Sequence, residues 1–120
     1  MILGEMICEL RKMKGIKQKD LADLLHVSVG TISNYETGVH IPDLDNLIIL
    51  ANYFHVSVDY LLGLTKFEYP VNTLEKKFTE NISFAQLYNK LFSLSPHSRN
   101  MLIEYLGLIQ LKEQQDESKK

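Results

Sequence analysis

Thirteen residues, HVSVGTISNYETG at positions 26–38, carry the side chains best suited to reading another molecule. Ile32 and Tyr35 follow at helical spacing, yet most of their neighbours are small or polar. A helix that turns Ile32 and Tyr35 inward, anchored with Val27, presents Val29, Gly30, Ser33 and Asn34 on its other side. A carboxamide such as Asn34 can bond adenine N6 and N7 at once, which is worth roughly 1–3 kcal/mol of discrimination, and a valine can meet a thymine methyl. Gly30 either lets the backbone approach a base pair closely or is a tolerated first-turn residue. Residues 11–19, RKMKGIKQK, add five cations and no acid to a chain whose net charge is −2. Such a local strip can hold phosphates whatever the total charge, although a solvated helix end would look the same.

These side chains need elements to position them. Residues 3–13 place apolar groups at 3, 6, 7, 10 and 13, a period that predicts a helix ending at Gly15. A second helix from Gln18 turns Leu21, Ala22, Leu24 and Leu25 inward, with Asp20 near its positive end. Ser28 caps a third, which stops at Gly38. Pro42 and Asp43 open a fourth, and Ser57 caps a short fifth closed by Gly63. Residues 66–82 change texture, with Pro70 and mixed charge, and read as a linker with some local contacts. Two further patterns follow: Phe84, Leu87, Tyr88, Leu91 and Phe92, then a helix opened by Ser95 and Pro96. The expected organisation is all-α: a five-helix unit over 1–65, a linker over 66–82, a helical hairpin over 83–112 and a disordered charged tail over 113–120. No repeat, low-complexity block or strand pattern stands out.

The composition, 45% hydrophobic and 23% charged, is that of a soluble globular protein. No apolar run approaches the roughly 20 residues of a membrane-spanning helix. The first residues lack the order of a secretory leader, so the expected location is the cytoplasm, with no membrane partner. Cys8, the only cysteine, lies among Leu3, Ile7 and Leu10 and reads as a small buried hydrophobe rather than a reactive thiol. The histidines at 26, 40, 55 and 97 have no metal-ligand spacing. Without a nucleophile–base pairing, a phosphate-cradling glycine loop or clustered carboxylates near a histidine, neither an enzyme nor a cofactor is expected.

The helix from Gln18, a short turn and the helix from Ser28 make a helix-turn-helix arrangement, whose second helix must fit a major groove about 12 Å wide. Over Ile7 to Leu64 the chain resembles the Cro and phage-repressor type (XRE) regulators. The ordered set that carries the resemblance is Gln18, Leu21, Ala22, Val27, Ser28, Ile32, Tyr35, Glu36, Gly38, Pro42, Leu47, Leu50, Ala51 and Leu61. It implies a phage-repressor-like domain that binds double-stranded DNA, with Val29, Gly30, Ser33 and Asn34 facing base edges. By the same resemblance Gln18 grips phosphate beside the backbone N–H groups of its helix end. Ser28 is similar to a cap that also touches phosphate. Lys14, Lys17, Lys19 and His40, with Thr31, are the remaining candidate phosphate neighbours. Arg11 and Glu36 match a pair that ties the first helix to the end of the recognition helix, direct phosphate contact by Arg11 being the alternative. Two departures stand out. His26 replaces the usual turn glycine, at a strain of order 1 kcal/mol. Lys17 replaces a Thr or Ser cap, exchanging a bond worth roughly 1 kcal/mol for a cation beside the phosphates.

One such motif covers half an operator, and relatives bind as two-fold dimers. Residues 101–111, MLIEYLGLIQL, are apolar at eight of eleven positions, more than one neighbouring helix can cover. The expected homodimer interface comprises Phe84, Leu87, Leu91, Met101, Leu102, Ile103, Tyr105, Leu108 and Ile109. A helix folded back over the motif unit is the alternative. The function expected is that of a bacterial or phage transcriptional repressor on a two-fold operator. The competing reading is an antitoxin or adaptor whose C-terminal helices bind an antagonist or partner protein.

Overall fold

Five helices succeed one another in the first part of the computed structural model, which describes residues 2–119. They are α1 (Ile2–Lys14), α2 (Gln18–Leu25), α3 (Val29–Thr37), α4 (Leu44–Phe54) and α5 (Val58–Leu61). Caps account for their starts. Ser28, Asp43 and Ser57 each accept a backbone N–H three residues on, from Thr31 (3.1 Å), Asn46 (2.8 Å) and Tyr60 (3.0 Å). The periodic positions do converge: Leu3 and Ile7, Leu21, Ala22 and Leu25, Ile32 and Tyr35, and Leu47, Leu50 and Ala51 form one core with Val56 and Leu61. α1 presses closely on the last turn of α3. A Cβ added to Gly4 would fall 2.5 Å from the Tyr35 carbonyl oxygen and 2.7 Å from that of Glu36.

Contrary to expectation, the turns contain a short internal repeat. His-Val-Ser-Val occurs at 26–29 and again at 55–58, and it makes the same bend twice. His26 (φ 56°) and His55 (φ 55°) are left-handed, the second unanticipated. After each, the valine N–H bonds a carbonyl five residues back, Val27 to Ala22 and Val56 to Ala51, both at 3.0 Å.

Two compact units divide at Thr73, so the five-helix unit is longer than residues 1–65. Ser57 N–H donates to the Glu68 carbonyl at 2.9 Å, and Pro70 and Val71 line a shallow groove with Ile48 and Val56. The first half of the expected linker therefore belongs to this unit, because its backbone and apolar side chains have partners there.

From Leu74 onward the second unit holds the end of a 3-10 turn (Val71–Glu75), a tight turn closed by the bridge Lys77–Ser83, α6 (Phe84–Phe92) and α7 (Pro96–Ser118). A reciprocal cap starts α6: Gln86 N–H donates to Ser83 Oγ (3.1 Å), and Ser83 N–H donates to Gln86 Oε1 (2.8 Å). Ser95 caps α7 through Ser98 N–H at 3.2 Å. α7 runs on to Ser118, so the tail expected to be disordered is helical that far. Lys, Glu and Gln are strong helix formers, and they extend a helix already nucleated upstream. No residue of α6 or α7 is buried. The two helices meet at an apolar groove of Tyr88, Leu91, Phe92, Leu102 and Ile103, where Arg99 Nη2 donates to the Phe92 carbonyl at 2.6 Å. Among the described residues, no helix is long and apolar enough to cross a membrane.

Candidate nucleic-acid interface

The bend at His26 sets α3 across α2, and burial then sorts the faces of α3. Ile32 and Tyr35 are buried, while Val29 is 45% exposed, Gly30 is exposed, and Ser33 and Asn34 are half-buried. Outside the helical ladder, the Ser33 and Asn34 carbonyls accept from Thr37 Oγ1 at 3.0 and 3.4 Å, and the Asn34 carbonyl also accepts from His40 N–H at 3.1 Å. Their side-chain groups are left uncommitted. A Cβ on Gly30 would meet only Ser28 Oγ, at 3.8 Å, so nothing inside the chain demands glycine there.

Arg11 and Glu36 are brought together as the resemblance implied. Arg11 Nε donates to both carboxylate oxygens (3.0 and 3.1 Å), Nη2 lies 2.9 Å from Oε1, and Nη1 donates to the Ile16 carbonyl at 3.0 Å. The guanidinium thus joins α1, the turn before α2 and the end of α3. Burial alone would push the Glu36 pKa up; the Arg11 hydrogen bond, aided by Cys8 and Gln18, outweighs it and holds the carboxyl below its ordinary range. The same hydrogen bond raises the pKa of Arg11. Cys8 is half-buried beside this pair, its Sγ 4.0 Å from Arg11 Nη2.

The candidate phosphate neighbours separate into two groups. Lys17, Lys19, Ser28 and His40 are exposed and Thr31 half-buried, with Ser28 Oγ also 2.8 Å from Thr31 Oγ1. Two others are engaged internally. Lys14 Nζ donates to the Tyr53 carbonyl (3.2 Å) and sits 3.8 Å above its ring, tying α1 to α4. Gln18 Nε2 donates to Glu36 Oε2 at 3.3 Å. Lys17 supplies no side-chain cap to α2, but Asp20 accepts the Lys17 N–H at 2.8 Å. An acid three residues after the cap position is a legible signal of that bond. The Lys14–Tyr53 contact, between residues far apart in sequence, has no such signal.

Two short helices joined by a three-residue turn with His26 left-handed, the second docked through Ile32 and Tyr35 and partly exposed on its other face, define a helix-turn-helix unit. The helix-turn-helix family model matches residues 8–61. HTH-type transcriptional regulator ImmR of Bacillus subtilis (strain 168) is 43% identical over 63 residues, covering 52% of this chain and 50% of ImmR. The SPbeta prophage-derived uncharacterized HTH-type transcriptional regulator YonR, from the same organism, is 33% identical over 73 residues, covering 61% of this chain and 68% of YonR. Among solved structures, a transcriptional regulator from Listeria innocua superposes with a TM-score of 0.52 at 27% identity, covering 91% of this chain and 92% of that one. The chain belongs to the helix-turn-helix family of Cro and phage-repressor type. It spans about half the length of ImmR and of several other curated relatives that it matches.

Proposed function

We propose that this chain is a sequence-specific DNA-binding transcriptional regulator that occupies a two-fold operator as a homodimer and represses from it. The observation that carries the reading is the outer face of α3, where Val29 and Gly30 are exposed and the half-buried Ser33 and Asn34 keep uncommitted side-chain groups, while Ile32 and Tyr35 hold the helix to the core. A helix inserted in the major groove needs that division. Asn34 is the reader of adenine and Val29 the contact for a thymine methyl. Lys17, Lys19, Ser28, Thr31 and His40 take phosphates, each neutralised phosphate steepening the salt dependence by about 0.9 in the log–log slope. Lys14 and Gln18 reach phosphate only by exchanging their internal partners. The C-terminal helices supply the second subunit, since neither buries a residue within the chain. A dimer seated on a promoter excludes polymerase from the same duplex, which is why repression is the mode assigned.

Selection of bound duplexes from a random pool tests the whole reading. An inverted repeat with half-sites roughly 34 Å apart, or a multiple, is the expected product. Recovery of no preferred sequence would sink it. With the selected operator in hand, Asn34→Ala should lose preference at one base pair by roughly 1–3 kcal/mol. Unchanged preference at every position removes Asn34 as a reader.

A further inference from the structure

Gly107 stands in the middle of α7, a 23-residue helix, where glycine weakens the interior. A Cβ built on it meets nothing within 4 Å, so nothing inside the chain explains the choice. Its neighbours one turn away on that face are Ile103 and Leu111, 65% and 52% exposed, flanked by the exposed Glu104 and Gln110, which a two-fold at Gly107 also sets opposite each other. Steps of three and then four residues continue the face symmetrically beyond Ile103 and Leu111, through Asn100 to Pro96 and through Gln114 to Ser118. Turned end for end and laid on itself, it sets Ile103 opposite Leu111 and Asn100 opposite Gln114. Apolar meets apolar and amide meets amide, the self-complementarity that a two-fold interface requires.

Charge selects the direction. Arg99 lies in the first turn of α7, whereas Glu113, Asp116 and Glu117 outnumber Lys112 in its last turns. Parallel neighbours would stack acids on acids. Antiparallel neighbours bring the acids toward Arg99 and oppose the two helix dipoles.

We propose that α7 packs antiparallel against α7 of a second copy of this chain, crossing at Gly107 along the row Ile103–Gly107–Leu111. The missing side chain lets the two helix axes approach closely at the crossing. This rests on the dimeric reading above and adds Gly107 and Leu111 to the surface that makes the dimer.

Two measurements on the full chain test it. Gly107→Leu raises helix propensity, so a helix free in solution would tolerate it or gain from it. At a crossing, the added side chain wedges the helices apart and weakens dimerisation roughly tenfold or more by sedimentation equilibrium, with helix content preserved by circular dichroism. A dimer as tight as the unsubstituted one overturns the crossing and leaves the dimeric reading standing. An unsubstituted chain that sediments as a monomer overturns both. Direction is read from a spin label at Gln115→Cys in a Cys8→Ser background. Antiparallel pairing places the two labels about 25 Å apart along the axes, at 1.5 Å per residue. A separation of about 10 Å, that of side-by-side parallel helices, overturns the proposal.

Discussion

Gly4→Ala should destabilise the five-helix unit, although alanine is the better helix former. The structure gives the size of the effect. The new Cβ would sit 2.5 Å from the Tyr35 carbonyl oxygen and 2.7 Å from the Glu36 carbonyl oxygen. Both are backbone atoms and cannot rotate away, so α1 as a whole must retreat. Leu3 and Ile7 resist, since both are buried in the core on the same helix. Overpacking of this kind costs about 1–3 kcal/mol, against a propensity gain of about 0.5–1 kcal/mol. The net loss centres on about 1 kcal/mol and reaches about 2.5 kcal/mol, so Tm should fall by roughly 5 °C or more for a unit of this size. Thermal melts followed by circular dichroism measure it, with Gly30→Ala as the internal comparison. At Gly30 the added carbon meets only Ser28 Oγ at 3.8 Å, so the same exchange should leave Tm equal or higher. If Gly4→Ala melts no lower than Gly30→Ala, the close approach of α1 to the end of α3 is not what holds that turn.

Three further outcomes follow from the same geometry. Glu36 is held below its ordinary pKa of 4.5, so the unfolded chain takes up protons first and acid favours unfolding. Its contribution is complete above about pH 4.5 and fades as pH falls through the depressed folded value, so Glu36→Gln should be clearly less stable near pH 7, with the deficit shrinking as pH falls below 4.5 by urea denaturation; a deficit that does not change with pH contradicts the ion-pair account. Lys17→Thr supplies the missing acceptor while Asp20 keeps its half of the cap, and should stabilise by about 1 kcal/mol while lowering the salt slope of DNA binding by about 1. An unchanged slope removes Lys17 from the phosphate set. A chain ending at Thr73 should melt cooperatively as a monomer, because the whole buried core lies at or before Leu61; a dimer would refute the C-terminal assignment.

Local signals were legible where local physics decides. The caps at Ser28, Ser57 and Ser95 and the stop at Gly38 follow from the conformational preferences of single residues or short spans, whereas the left-handed His26 was reached through the family resemblance and its counterpart His55 was not anticipated. The Arg11–Glu36 pair was reached through family resemblance, since residues that far apart leave no periodic trace. Long flexible side chains were harder. Lys14 and Gln18 read as phosphate arms, but each has a neighbour in the folded unit, Tyr53 and Glu36, that only the tertiary arrangement brings within reach. Gly4 carried no signal at all, because its necessity lies in the backbone of another helix. The helical run to Ser118 was hidden by charge: composition alone cannot separate a frayed end from a helix that simply faces water.

The twofold use of His-Val-Ser-Val provides the molecule with a yardstick of its own. A replacement at His55 perturbs the same elbow as a replacement at His26, far along the chain from the helix proposed to meet the duplex. Whatever glycine does to folding at residue 55 measures the bend itself. Any surplus at residue 26, seen in operator affinity and not in melting, is the share that belongs to the duplex.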